Sequence, residues 1–246
     1  MSRAPRAPDT VDFQYEFFLA SGAYRAFTVS LEKDTLQIIP APRRSYPEWV
    51  RLTYAQCPNC PLKPECRPHC PIATNLVDPI EAFDDFFSHE KVEVRVQSRA
   101  RTYTARTTIQ KALSSLLGIT MPTSGCPIMD RLRPLVGTHL PFATFEETTY
   151  RIVSAYLLGQ YFVQKRGGAP DWGLENLRRF MGEIETVNLS FSKRLRSIAR
   201  KDAALNALTV LASSGSWISW NLEEQDFERW EKIFFVCHGP AGEGGA

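Results

Sequence analysis

Within the first 109 residues the apolar side chains of this chain tend to alternate with polar ones, and beyond that point they recur every three or four positions. A period of two puts one face of a strand into a core, and a period near 3.6 does the same for a helix. A chain that runs through its strands before its helices does not wind the alternating strand–helix units of a parallel sheet. The order therefore predicts an α+β fold: an N-terminal antiparallel sheet with a cysteine-rich loop, and a C-terminal helical bundle packed against it. In outline, 1–10 reads as a flexible N-terminus and 11–109 as the strand-rich region with the cysteine loop. The span 110–236 reads as the helical region, and 237–246 as a flexible tail.

Phe13, Tyr15, Phe17 and Leu19 share one side of a strand over Val11–Leu19, and Ser21-Gly22 turns the chain into a second at Tyr24–Leu31. Short strands are expected at Thr35–Ile39 and Trp49–Tyr54, an amphipathic helix at Asn75–Ser88, and a hairpin over Lys91–Ile109. Gly118 reads as the C-cap of a helix Gln110–Leu117, and a short helix opens on proline at Pro127–Val136. Thr144-Phe-Glu-Glu147 is a capping box ahead of a helix to about Lys165, ended by Gly167-Gly168. Within it, Ile152–Val163 is the longest mainly apolar run; it is too short to span a bilayer and reads as buried. Asp171–Ala199 carries Leu177, Phe180, Ile184, Val187, Phe191, Leu195 and Ile198 at helical spacing, and helices at Asp202–Ala212 and Leu222–Phe235 complete the set.

The formal net charge is only +2, so attraction to nucleic acid or to a membrane would have to come from a local patch. Met1–Thr10 has no apolar run of signal-peptide length, which predicts a soluble, cytoplasmic protein. In a reducing compartment, six cysteines point to metal binding or redox chemistry rather than to disulfides.

Four of them, with His69, fall in the run Cys57-Pro-Asn-Cys60-Pro-Leu-Lys-Pro-Glu-Cys66-Arg-Pro-His69-Cys70. Zinc and iron–sulfur centres need several thiolates converging at about 2.3 Å from the metal. A C-x2-C step brings two onto one ion, and the prolines reduce the chain entropy lost on ligation. Cys57, Cys60, Cys70 and Cys126 are each followed by proline, whereas Cys66 precedes Arg67 and Cys237 precedes His238. Cys126 also lies just ahead of an expected helix, where free N–H groups favour a thiolate. Two ligand sets compete. The local one is Cys57, Cys60, Cys66 and Cys70; the split one is Cys57, Cys60, Cys70 and Cys126, with His69 a less favoured replacement in either. The shared Cys-Pro dipeptide favours the split set. Zinc is the expected metal, being the commoner occupant of compact cytosolic thiolate sites, and an iron–sulfur cluster is the alternative.

The stretches CPNCPL…CPIATNLVD, RTTIQKALSSLLGITMPTSGCP and HLPFATFEETTYRIVSAYLLGQYF with the following PDW resemble an uncharacterised bacterial protein family, a domain of unknown function. The resemblance spans about Tyr15 to Leu211. It implies that the matching elements surround Cys57, Cys60, Cys70 and Cys126, with the Cys66 position less regular. It implies no activity.

Other groups have plainer readings. Arg95, Arg99, Arg101 and Arg106 around Tyr103 suit phosphate or base contacts, or an ordinary wet β-ribbon. Lys193, Arg194, Arg196, Arg200 and Lys201 suit the C-terminal end of a helix dipole. Asp84, Asp85, His89 and Glu90 suit a solvated helix end better than a hydrolytic metal site. Thr123-Ser-Gly-Cys126 offers a thiol nucleophile only if His139 reaches it as base, and no phosphate loop, nucleophile elbow or H-E-x-x-H motif is present. The expectation is a non-enzymatic, metal-stabilised regulatory or interaction module with a protein partner and no membrane association. An iron–sulfur redox or sensor protein comes second, and a nucleic-acid-binding zinc protein third.

Overall fold

The computed structural model describes residues 9–224 and 227–238. Four strands form one antiparallel sheet: β1 Thr10–Leu19, β2 Tyr24–Glu32, β3 Lys91–Ser98 and β4 Thr102–Thr108, in the order β2-β1-β3-β4. Two hairpins are thus joined along β1, which faces Tyr24–Glu32 on one side and Val92–Ser98 on the other. One face of the sheet carries Phe13, Tyr15, Phe17, Leu19, Val29, Leu31, Val92, Val94 and Val96, all buried. The alternation seen in the sequence is therefore the core face of the sheet. The opposite face is wet and charge-paired: Tyr24 donates to Glu16 at 2.8 Å, Arg95 lies 3.6 Å from Glu16, and Arg106 lies 2.9 Å from Glu93.

Helices cover the apolar face. They are α1 Pro71–Ala82, α2 Ile109–Thr123, α3 Phe145–Lys165, α4 Glu175–Arg196, α5 Ala203–Glu224 and α6 Glu228–His238. The α+β expectation holds. Helix α2 lies between the sheet and the bundle, packing on β2, β3 and β4 on one side and on α5 on the other. It runs through Gly118, which is an interior position facing Leu211 of α5 and not the expected C-cap. Thr144 and Glu147 do form the capping box that opens α3, at 3.1 and 2.8 Å. Gly167, at φ +80°, closes the helix with Gly168 donating to the Val163 carbonyl at 3.0 Å.

Several expected elements differ. Trp49–Tyr54 is not a strand but two 3-10 turns, Glu48–Val50 and Leu52–Tyr54. Thr35–Ile39 contributes a single bridge, Leu31 to Ile38. The first helix starts at Pro71, with Cys70 as its N-cap, and ends at Ala82. Pro127–Val136 becomes a 3-10 segment over Met129–Thr138. The run Ile152–Val163 is only half buried: Ile152 and Val153 face the core, but Leu158, Tyr161 and Phe162 are exposed. No described helix is long and apolar enough to cross a membrane. The expected loose tail from Gly239 lies outside the described residues.

Candidate metal centre

The cysteine loop is held in place by its backbone. Cys60 N–H donates to the Cys57 carbonyl at 3.0 Å, closing the C-x2-C turn. Cys70 N–H donates to Val50 at 2.9 Å, and Leu52 N–H to Pro68 at 2.8 Å, so the two 3-10 turns and the end of the loop run side by side. Asn59 reaches across to α4, donating from Nδ2 to the Glu183 carbonyl at 3.0 Å. On the far side, Gly125 at φ +86° turns the chain out of α2 and delivers Cys126.

Four cysteines line one small cavity of about 20 Å³: Cys57, Cys60, Cys70 and Cys126, with Leu52, Ile72, Ile128, Val187, Phe191 and Arg194 around them. Cys70 and Cys126 are buried, and Cys57 and Cys60 half-buried. Cys66 is exposed and takes no part in the cavity lining. His69 also lies outside it, its ring 5.1 Å from that of Tyr46. The four cysteines that line the cavity are those of the split set; of the local set, Cys66 is not among them. These five are free thiols; the Cys237 side chain lies outside the described residues. Among the described residues no group of three or more His, Cys, Asp or Glu is arranged as a ready ligand set, so the four sulfurs are neighbours around a void rather than a drawn-in coordination sphere.

Burial dominates the thiol chemistry. It pushes Cys57 up to about 11, with Cys70 adding and the nearby Ser190 hydroxyl opposing. It also raises Cys126, although the backbone N–H groups of Met129 and Ile128 point at that sulfur and pull the other way. The donors expected ahead of the helix are present, but desolvation outweighs them. As a catalytic nucleophile Cys126 has no base: His139 lines a different cavity, with Nε2 2.6 Å from the Tyr15 hydroxyl.

Arg194 is the residue that sequence reasoning missed. Its place among basic neighbours suggests a wet helix end, yet it is 2% exposed. Its Nη1 donates to the carbonyls of Trp49 and, at 2.8 Å, Arg51; its Nη2 donates to Leu52 at 3.3 Å and Ala55 at 3.0 Å. Among the described residues it has no carboxylate partner. A buried cation normally has an anion beside it, and here the neighbouring ionisable groups are Cys70, Cys57, Tyr54 and Cys60. The available signal was its position: Arg194 follows Phe191 by three and Val187 by seven, on the apolar stripe of α4.

The remaining candidates follow their plain readings. Arg200 pairs with Asp84 at 3.2 Å, Glu90 accepts from Phe87 N–H at 2.7 Å, and His89 stacks on Phe87. Two of the four hairpin arginines, Arg95 and Arg106, are paired with glutamates of the sheet. No curated protein and no solved structure matches the chain. A family model does match, over residues 13–234, and the chain belongs to that family, described as Domain of unknown function (DUF6901).

Proposed function

We propose that Cys57, Cys60, Cys70 and Cys126 bind one metal ion, zinc, and that the ion locks the sheet and cysteine loop onto the helical half in a non-enzymatic interaction module. The observation that carries this reading is the convergence of four thiols, from two segments more than fifty residues apart in sequence, on one small cavity beside a buried arginine that lacks a carboxylate. A cavity of about 20 Å³ has room for a single water-sized body. Four thiolates are the donor set of structural zinc. Their excess negative charge gives Arg194 the counter-charge that no acid supplies. The cation in turn offsets the burial that keeps the thiols protonated, and the sulfurs move inward on ligation. Exposed aromatics on two helices, Tyr161 and Phe162 on α3 and Trp217 and Trp220 on α5, are the surface that a protein partner would use.

The test is elemental analysis of the full-length protein as purified. About one zinc per chain, with a melting temperature that drops on chelation, supports the reading. About four irons per chain, with visible absorption bleached by dithionite, replaces zinc with an iron–sulfur cluster, the reading the Cys-Pro steps favour. A protein free of both metals, with a melting point indifferent to chelator, overturns the proposal.

A further inference from the structure

A second cavity, about 190 Å³, lies along a neighbouring face of α4, between α2, α3, α5 and the 3-10 segment Met129–Thr138. Its walls are apolar, and every methionine of the chain after Met1 is among them: Met121, Met129 and Met181. Methionine supplies a polarisable, adaptable wall suited to ligands of variable shape. For scale, a dry cavity of about 150 Å³ holds a benzene ring, so this one accepts roughly eight non-hydrogen atoms.

Three polar side chains on that wall have unspent hydrogen-bonding capacity. Arg151 donates from Nη2 to the carbonyls of Leu135 at 2.8 Å and Thr138 at 2.9 Å, which fixes its guanidinium, while Nε and Nη1 have no partner among the described residues. It makes no ion pair among the described residues; the charge of Glu147 favours its charged form, but that carboxylate is held at the Thr144 N–H, 2.8 Å away. Asn188 is 3% exposed, and its Oδ1, an acceptor, has no hydrogen-bond partner; it can take a donor from a ligand or a water but not a carboxylate oxygen. His139 touches Tyr15 through Nε2 only. An apolar chamber with one fixed guanidinium, Arg151, on its wall and the Lys111 ammonium where it meets the groove suits a ligand with an apolar body and a single negative end. The chamber also has an entrance, since it shares Lys111, Ser114, Phe142 and Phe145 with a wider groove of about 680 Å³.

We propose that this cavity binds a small amphipathic monocarboxylate, its chain against Met121, Met129 and Met181 and its carboxylate on Arg151. The site is independent of the cysteines and of any metal they hold.

Calorimetric titration of the full-length protein with hexanoate and, separately, with 1-hexanol tests it. Hexanoate is expected to bind saturably and about tenfold or more tighter than the alcohol, the usual margin for a charge-assisted hydrogen bond. Arg151→Met is expected to erase that preference while leaving hexanol binding in place. Because Arg151 also holds two carbonyls, Gly215→Leu provides the second variant. Gly215 lines the cavity, and a Cβ there meets nothing within 4 Å, so the longer side chain enters the chamber without a backbone clash. It is expected to abolish binding of both probes in a folded protein. Absence of saturable hexanoate binding, equal affinity for acid and alcohol, or full binding by Gly215→Leu overturns the proposal.

Discussion

The cavity at the cysteines and the cavity at Arg151 are built against the same helix from residues about a turn apart. Toward the thiols α4 presents Val187, Phe191 and Arg194; toward the methionines it presents Met181, Ile184 and Asn188. The chain around Cys126 divides in the same way, with Cys126 and Ile128 lining one void and Met129 the other. Each void has an arginine held by backbone carbonyls with no carboxylate paired to it among the described residues. They differ in closure and in size, about 20 against about 190 Å³, and in sulfur chemistry, thiol against thioether. A fixed guanidinium without an acid is therefore not specific for one kind of partner. The surrounding volume and donor atoms decide whether the missing charge is expected from coordinated thiolates or from an organic acid.

The comparison is broken most strongly from the thiol side. Cys126→Ser is expected to remove the metal and lower the melting temperature by about 10 °C or more, read by calorimetry alongside elemental analysis. Cys66→Ser, at the exposed cysteine, is expected to change neither. Next comes Arg194→Met, which leaves four inward carbonyls without their donor and is expected to cost roughly 3–5 kcal/mol in denaturant unfolding. A loss below about 1 kcal/mol would show that Arg194 is not a keystone of the loop.

On the other side the lever is pH. Burial, with the charge of Arg151 adding, lowers His139 from its ordinary 6.5 to about 3. The unfolded chain takes up this proton as pH falls through 6.5, and the folded protein resists until about 3. The stability contributed by the neutral ring is therefore complete above 6.5 and is lost progressively between 6.5 and 3. His139→Gln is expected to flatten that acid limb of a stability–pH curve, and an unchanged slope would refute the assignment. The smallest effect is expected from Gly215→Ala in the interior of α5, a gain of roughly 0.5–1 kcal/mol from a less flexible unfolded chain.

Much of the scaffold was legible in the sequence because it is governed by local rules. The alternation over Phe13–Leu19 and Val92–Val96 appears as the buried sheet face, and Thr144-Phe-Glu-Glu147 caps its helix as the motif requires. The shared Cys-Pro dipeptide singled out the four cysteines that do converge. What escaped depends on distant neighbours. Trp49–Tyr54 has the composition of a strand, but the carbonyls at Trp49, Arg51 and Leu52 turn inward to an arginine more than 140 residues away in sequence. Gly118 has the look of a helix end, yet α2 continues through it to Thr123 under the packing of α5. The exposed second half of α3 could not be told from a core helix by hydrophobicity alone.

The strand order carries a consequence for how such a chain is made. Strand β1 is flanked on one side by Tyr24–Glu32, which leaves the ribosome almost with it, and on the other by Lys91–Ser98. At about 5–20 residues per second, that second edge stays unpaired for several seconds of synthesis. Cys57, Cys60 and Cys70 emerge within that interval, and Cys126 follows only after β3 has arrived. Translation thus presents three thiols before the fourth, and the growing polypeptide closes its sheet before it can close the sulfur ring.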